Sequence, residues 1–170
     1  MVWNYRGYGR TQGTNSYNER LNYPSPDHIK SDAEAVLAYL RETIGVKGKV
    51  GVYGRSLGGI AATHLTKYVD MIICDRTFGN LHSVAETKFY GRIATTLFNL
   101  TAGWRTTNDV DLTTRERENK FGLQYQNCYK VVTCDKNDEI IDVNSSLPVL
   151  ATHHWFVANG VRPLLSAAEC

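Results

Sequence analysis

The sequence lacks several patterns that would assign it to a class at once. No apolar run approaches the roughly 18 residues that a membrane-spanning helix needs. The basic residues form no phosphate-binding stripe, and the formal net charge is only +2, so we expect no nucleic-acid partner. The four cysteines match neither the spacing of a zinc site nor a CxxC redox motif. We therefore expect no metal ion, no structural disulfide and no membrane helix within this sequence.

What is present is an alternation of short apolar stretches with amphipathic ones. The 170 residues are enough for one domain with one buried core. The alternation is typical of βαβ units, and it predicts an α/β fold with a mostly parallel sheet and helices on both faces. We expect strands at residues 2–5, 49–53, 69–74 and 129–133. Cys74 and Cys134 lie in apolar stretches, so we expect both to be buried.

Helical patterns fill most of the remaining sequence. Pro26 and Asp27 suit a first helical turn, and Gly45 suits a helix end, so we predict a helix between them. Further helices are predicted at residues 57–68 and 81–104, whereas residues 106–126 are polar and predicted to be irregular. The first helix carries one apolar stripe, formed by Ile29, Ala33, Val36, Leu37, Leu40 and Ile44. After Ser146 the pattern weakens, and we expect Pro148 to interrupt any helix that begins there.

Residues 54–58 read Gly-Arg-Ser-Leu-Gly and fit the G-x-S-x-G pattern of a nucleophile elbow. The pattern alone is a weak signal, but here a strand rich in valine and tyrosine precedes it and a helical segment follows. Such a turn holds a serine hydroxyl above the sheet edge, and its glycines leave room for neighbouring backbone. We therefore predict Ser56 as a nucleophile and the backbone N–H of Leu57 as a donor to the developing oxyanion. The alternative is a glycine-rich turn without chemistry, such as a phosphate cradle, although the P-loop pattern is missing.

A serine nucleophile needs a histidine to take its proton and a carboxylate to orient that histidine. In a fold with such an elbow, the chain order is serine, acid, histidine. Asp138 is the preferred acid because it lies in the turn after the strand at residues 129–133. Asp135 in the same turn and Asp75 at the end of an earlier strand are the alternatives.

The base is harder to assign. A further helix and strand would separate it from the acid by roughly 25 to 30 residues, and no histidine occurs at that distance from Asp138. His154 is the candidate, with His153 as the alternative, and the base is otherwise missing from this sequence. We assign no chemistry to the earlier histidines, which are His28, His64 and His82.

Several longer stretches resemble one branch of the α/β-hydrolase superfamily. They are residues 4–10 (NYRGYGR), 31–36 (SDAEAV), 52–59 (VYGRSLGG), 75–78 (DRTF) and 138–142 (DEIID). Stretches of this kind recur in the same order in the BEM46-like proteins, which are relatives of the α/β-hydrolase domain-containing proteins of eukaryotes. The resemblance covers about residues 2–146. It implies serine hydrolysis, often of lipid esters or protein-bound palmitoyl thioesters.

The sequence also departs from that branch. No HGG-type sequence is present to supply the second half of an oxyanion hole. We therefore expect a partial hydrolase core at residues 1–146, cut at both ends, followed by an atypical tail at residues 147–170. The resemblance implies a small-molecule or acylated-protein substrate, no cofactor, and membrane association only through segments outside this sequence. Two alternatives stay open: a catalytically incomplete binding module, and a serine peptidase of the same fold.

Overall fold

The computed structural model describes residues 1–11, 24–88, 104–113 and 128–158. It describes no side chain at residues 10, 88 or 153–158. The chain divides into two compact units, Met1–Lys47 and Gly48–Cys170. No feature of the structure tests the predicted boundary at residue 146, so that boundary stays a prediction.

The first unit contains the predicted amphipathic helix. Helix α1 (Pro26–Ala38) begins after Ser25, whose hydroxyl accepts a hydrogen bond from the His28 N–H at 3.1 Å. The helix continues as a π-helical turn over Tyr39–Thr43, and Gly45 follows with a φ of 78°. Its buried residues are Pro26, Ile29, Ala33 and Leu37. Ile44, predicted to extend the apolar stripe, is instead exposed.

The predicted strand at residues 2–5 was wrong. These residues are irregular in the structure, and Val2 is almost fully exposed. A short run rich in β-formers becomes a strand only where a neighbouring strand takes up its backbone hydrogen bonds. Here the turn after these residues is held by side chains: the guanidinium of Arg6 donates to the carboxylate of Asp32 in α1.

The second unit is built on a parallel sheet, which confirms the predicted α/β fold. Strands β1 (Gly51–Arg55), β2 (Met71–Asp75) and β3 (Tyr129–Thr133) lie in the order β1-β2-β3, and both pairings are parallel. The register aligns Gly51 with Met71 and Tyr129 at one edge, and Arg55 with Asp75 and Thr133 at the other. The carboxyl ends of all three strands therefore meet at one edge of the sheet.

Helix α2 (Gly59–His64) connects β1 to β2 and packs on both strands. The predicted single helix over residues 57–68 is α2 with a 3₁₀ turn at each end, Ser56–Gly58 and Leu65–Lys67. The helix lies so close to β1 that a Cβ on Gly54 would come within 2.9 Å of the Ala62 Cβ. This face of the sheet forms the core with α2, through Ile60, Ala61, Ala62, Leu65, Ile72 and Cys74.

Three further helices belong to the second unit. Helix α3 (Leu81–Lys88) matches the start of the predicted helix at residues 81–104, and residues 89–103 of that prediction lie outside the described residues. Helix α4 (Asn108–Thr113) occupies a stretch predicted to be irregular, so that prediction was wrong over these residues. Its polar side chains are compatible with a helix because the Thr107 hydroxyl contacts the Asp111 carboxylate at 3.3 Å, while Asn108 and Leu112 are buried.

Helix α5 (Leu147–Ala158) corrects the expectation that Pro148 would interrupt a helix after Ser146. The proline lies in the first turn, where the N–H that it lacks would have had no partner within the helix. Leu147 is fully buried, and α5 packs on α4, which in turn packs on α2. Cys74 is buried as predicted, which raises its pKa to about 12, whereas Cys134 is only half-buried because it lies beyond the end of β3.

Candidate active site

The turn after β1 places an exposed serine on a left-handed backbone conformation. Ser56 directly follows Arg55, the last residue of β1, and has a φ of 51°. A residue other than glycine in this region is strained by about 1 to 2 kcal/mol. The 3₁₀ turn Ser56–Gly58 then leads into α2 without an intervening loop. The side chain is therefore held at the sheet edge, between a strand and a helix.

Two glycines allow this bend because other atoms occupy the space of their missing side chains. A Cβ on Gly54 would lie 2.3 Å from the carbonyl oxygen of Gly58. A Cβ on Gly59 would lie 1.9 Å from the Cγ2 of Thr77, which follows β2. Because real Cβ atoms do not approach other atoms this closely, neither position accepts a side chain without movement. Close approach of neighbouring atoms therefore explains Gly54, the first glycine of the motif, and Gly59, which follows the motif.

Leu57, the predicted oxyanion donor, occupies the middle of the 3₁₀ turn that begins at Ser56. The first N–H groups of a helical turn have no acceptor within the helix. Such groups also lie at the positive end of the peptide dipoles. The backbone at this position therefore has the donor chemistry that a developing oxyanion requires.

The sheet edge brings the candidate acids to the same side of the sheet as Ser56. Asp75 is the last residue of β2, the strand next to β1, and pairs in register with Arg55. Asp135 and Asp138 follow β3, which is one strand further away. Because neighbouring strands lie about 4.8 Å apart, the end of β3 is roughly 10 Å from the end of β1. By strand order, Asp75 is thus adjacent to the elbow, and Asp138 is on the far side of the same edge.

Asp75 accepts two hydrogen bonds from hydroxyl groups on the neighbouring strands. The Tyr53 hydroxyl donates to Oδ2 at 2.8 Å, and the Thr133 hydroxyl donates to Oδ1 at 2.9 Å. The hydrogen bond from Tyr53, followed by that from Thr133, holds the pKa of Asp75 below its ordinary value. Tyr53 and Thr133 were not predicted as partners of Asp75, because the register between the strands is needed to bring these side chains together.

Asp138 and Asp135 are held by their own turn. Oδ1 of Asp138 accepts the backbone N–H groups of Ile140 and Ile141 at 2.8 and 2.9 Å. Oδ1 of Asp135 accepts the N–H of Asn137 at 3.0 Å. These bonds are typical of turns in which an aspartate caps the backbone two or three residues later, so they fix where the Asp138 carboxylate lies.

The histidines divide into two groups. His153 and His154, the candidate bases, lie on α5, but their side chains are outside the described residues. His28, His64 and His82 lie on α1, α2 and α3, as the sequence analysis expected. The His64 ring meets the ring of Tyr68 edge to face, with 6.2 Å between centroids. His64 ends α2, so the length of that helix separates it from the elbow.

No group of three histidine, cysteine, aspartate or glutamate side chains among the described residues is placed to hold a metal ion. No helix within the described ranges is both long enough and apolar enough to cross a membrane.

Comparison with known proteins finds relatives but no matching family model and no matching solved structure. Protein bem46 of Schizosaccharomyces pombe is 34% identical over 97 residues, which is 54% of this chain. An uncharacterized membrane protein of Saccharomyces cerevisiae is 33% identical over 89 residues, or 49% of this chain. The α/β-hydrolase domain-containing protein WAV2 of Arabidopsis thaliana is 34% identical over 90 residues, or 50% of this chain.

These matches are confined to part of each relative. The aligned regions cover 29% of the Schizosaccharomyces protein, 28% of the Saccharomyces protein and 26% of the Arabidopsis protein. The similarity therefore concerns a segment of each relative that is shorter than a third of its length.

Proposed function

Because this chain is related to the BEM46-like branch of the α/β-hydrolases, we propose that it carries the nucleophile of a serine hydrolase that cleaves an ester or a thioester. The observation that carries the proposal is the conformation of Ser56. It is exposed, has a φ of 51°, and stands between a parallel strand and the helix that follows. Non-glycine residues persist in this backbone region where the surrounding structure enforces it, often at active sites.

The proposed reaction has two steps. Ser56 Oγ attacks the carbonyl carbon of the substrate while a histidine takes the hydroxyl proton, and the tetrahedral oxyanion accepts a hydrogen bond from the Leu57 N–H. The carbon–oxygen or carbon–sulfur bond then breaks, and the alcohol or thiol leaves with the proton from the histidine. Water attacks the resulting acyl-enzyme in the same way and releases the carboxylic acid.

The roles of acid and base follow the order of the chain. We propose Asp138 as the orienting acid and His154 as the base, with His153 as the alternative base. Asp135 and Asp75 remain alternative acids. Asp75 has the closer strand position, but its two oxygens already accept hydrogen bonds from Tyr53 and Thr133. Asp138 also accepts two hydrogen bonds, from its own turn, so we prefer it for its position: it lies in the turn after β3, where the resemblance to the BEM46-like branch implies the acid.

The substrate class comes from the resemblance to the BEM46-like branch. We propose a lipid ester or a palmitoylated protein as the acyl donor. Both place a long apolar chain beside the scissile carbonyl, and both need only a serine nucleophile with no cofactor. A serine peptidase would use the same elbow, so amide substrates belong in the same assay.

A fluorophosphonate probe tests the nucleophile directly, because it phosphonylates activated serines. The folded chain is expected to be labelled, and Ser56→Ala is expected to abolish the labelling. Ser31→Ala is the matched control, since Ser31 is also exposed but lies within α1 and makes hydrogen bonds with the His28 carbonyl and Arg6. A chain that folds with its parallel sheet intact yet resists the probe would contradict the hydrolase proposal.

The second candidate is a hydrolase-like binding module without turnover. It is favoured by the sequence alone, because no histidine lies at the distance from Asp138 where this fold carries its base. Binding of an acyl ligand by an unlabelled chain would support this candidate. Labelling that Ser56→Ala removes would exclude it.

A further inference from the structure

Two arginines flank the exposed serine at the carboxyl edge of the sheet. Arg55 precedes Ser56 and has a side chain that is 60% exposed, and Arg76 follows Asp75 and is 39% exposed. Because Arg55 and Asp75 are register partners, Ser56 and Arg76 occupy equivalent positions on neighbouring strands. Arg55 is thus the chain neighbour of Ser56, and Arg76 occupies the corresponding position after the neighbouring strand.

Asp75, the carboxylate nearest to both arginines, accepts no hydrogen bond from either guanidinium. The oxygens of Asp75 accept their hydrogen bonds from the hydroxyls of Tyr53 and Thr133. The Nε atoms of Arg55 and Arg76 lie 3.9 and 3.5 Å from that carboxylate, beyond the usual hydrogen-bond range. Within the described ranges, neither guanidinium makes any other ion pair or a hydrogen bond. No N–H donor of either guanidinium is therefore used in a hydrogen bond to another described residue.

The charges also do not cancel. Two arginines, Arg55 and Arg76, face one aspartate, Asp75, at the ends of β1 and β2. Within this group of three side chains one positive charge is in excess, whereas Asp135 and Asp138 lie after β3, one strand further along the same edge. The planar guanidinium group presents parallel N–H donors that match the two oxygens of a carboxylate or phosphate. The cluster thus has both the charge and the donor geometry to bind an anion.

We propose that Arg55 and Arg76 bind an anionic group of the substrate, a carboxylate or a phosphate, and so select acidic esters over neutral ones. This inference rests on the proposed function of Ser56, and it adds a specificity site beside the nucleophile. The substrate would carry its charge within one side-chain length of the carbonyl that Ser56 attacks.

The test compares two esters of similar length that differ in charge, 4-nitrophenyl butyrate and mono-4-nitrophenyl glutarate. The unmodified chain is expected to have the higher kcat/KM for the glutarate ester. In Arg55→Gln/Arg76→Gln, the ratio of the two kcat/KM values should fall by about tenfold, the change given by roughly 1.4 kcal/mol. Added salt should lower the same ratio in the unmodified chain, because exposed charges are screened.

Lys49→Gln is the matched control. Lys49 is an exposed cation, but it precedes β1 and so lies at the opposite edge of the sheet, roughly 20 Å from Arg55. Its replacement removes one positive charge, against two in the double arginine variant, and should leave the ratio unchanged. A fall in Lys49→Gln equal to that in Arg55→Gln alone would overturn the proposal, because it would show an effect of net charge alone.

A binding experiment separates this inference from the proposed function. Inorganic phosphate and glutarate are titrated into the isotope-labelled chain, and the arginine Nε–H signals are followed by NMR. Shifts that disappear in Arg55→Gln/Arg76→Gln would support the anion site even if Ser56 resists the fluorophosphonate probe. Stronger binding of phosphate would point to a phosphate-bearing substrate, and stronger binding of glutarate to a carboxylate. If neither anion shifts these signals and the glutarate ester is not preferred, the anion site does not exist.

Discussion

Strands β1 and β2 lie side by side, and each is followed by a residue in the left-handed region. Ser56 has a φ of 51° and Arg76 has a φ of 47°, and within the described ranges they are the two non-glycine residues with positive φ. They follow the register partners Arg55 and Asp75, so the two bends are at the same level of the sheet. The same strained conformation therefore occurs twice, and it is held in two different ways.

The bend after β1 is held by close packing. Gly54 and Gly58 approach until no Cβ fits between them, and Gly59 lies against Thr77 in the same manner. The Gly54–Gly58 contact joins residues four positions apart, whereas the Gly59–Thr77 contact joins residues 18 positions apart. The bend at Ser56 therefore depends on one local contact and on one contact with the residues after β2, and it leaves the serine side chain exposed.

The bend after β2 is held by hydrogen bonds to distant parts of the chain. The Arg76 N–H donates to the Thr133 carbonyl at 3.0 Å, and the amide of buried Asn108 donates to the Phe78 carbonyl at 3.0 Å. Two more backbone bonds join Gly79 N–H to Ser145 O and Leu147 N–H to Thr77 O. The comparison shows that steric fit fixes the nucleophile turn, whereas polar links fix the turn that carries Asp75 and Arg76.

Gly54→Ala should break the first bend and produce the largest effect. The new Cβ would lie 2.3 Å from the Gly58 oxygen, and a backbone atom cannot move aside as a flexible side chain can. We expect the free energy of unfolding to fall by about 3 kcal/mol, which is the upper part of the range for overpacking. Chemical denaturation followed by circular dichroism measures this change.

Gly51→Ala in the same strand is the control. A Cβ at that position would meet Met71 atoms no closer than 3.7 Å, which is an ordinary contact. Gly51→Ala should change the free energy of unfolding by no more than about 0.5 kcal/mol. If the two variants were equally destabilised, strand flexibility rather than close approach would explain the glycine at position 54.

Asn108→Ala should loosen the second bend with a smaller effect. The substitution leaves the Phe78 carbonyl without its side-chain donor in a fully buried position, and it also removes the acceptor of the 3.4 Å contact from the Thr63 hydroxyl. A buried polar group that loses its partner costs about 2 kcal/mol. The same denaturation experiment detects the change.

Asn144→Ala serves as the comparison for this variant, since Asn144 is exposed and its side-chain amide donates to Asp142, two residues away. The free energy of unfolding of Asn144→Ala should fall by less than about 0.5 kcal/mol. A small effect at Asn108 would mean that the polar links do not hold the bend after β2.

The two bends were not equally predictable from the sequence. The strand, the turn and the start of α2 around Ser56 follow from a local pattern of glycines between a β-forming run and a helical one. Asn108 gave no such signal, because an asparagine in a polar stretch reads as exposed and its partner Phe78 is 30 residues away. Helix α4 was missed for the same reason, since only tertiary contacts show that Asn108 and Leu112 are buried.

Two other outcomes also separate features that a local sequence pattern predicts from features that depend on contacts with distant residues. Strand β3 agrees with its predicted range, Tyr129–Thr133, because its alternation is local. Residues 2–5 have a similar composition but no described strand partner, and composition alone does not supply one. The hydroxyl partners of Asp75 required the register between strands, which no single-strand pattern contains.

Ser56→Gly would show how much strain the exposed serine adds to the first bend. Glycine adopts positive φ without the Cβ penalty of about 1 to 2 kcal/mol, although it also gains entropy in the unfolded chain. We expect a net stabilisation of about 0.5 kcal/mol together with loss of probe labelling. Ser83→Gly, in the helical first turn of α3, should change stability in the opposite direction. Destabilisation by both substitutions would show that position 56 is not strained.

Tyr53→Phe should have the smallest effect on stability, because it removes one hydrogen bond to Asp75 at the end of β2. The Tyr53 hydroxyl is the largest cause of the lowered pKa of Asp75, so its removal should raise that pKa toward the ordinary value. A lowered pKa in the folded state stabilises the fold fully above the unfolded aspartate value of about 3.9. That stabilisation is lost as the pH falls through the lowered pKa, so Tyr53→Phe should weaken the pH dependence of stability in this acid range.

The titration of the Asp75 carboxyl carbon by NMR measures this shift directly. Tyr129→Phe is the control because Tyr129 is a comparably exposed tyrosine at the opposite end of the sheet, where its hydroxyl does not contact Asp75. If Tyr53→Phe leaves the pKa of Asp75 unchanged, the Thr133 hydroxyl and the two arginines hold the carboxylate without it. The end of β2 would then depend on Thr133 and the arginine charges rather than on the Tyr53 hydroxyl, and fewer N–H donors of Arg55 and Arg76 would remain for an anionic substrate.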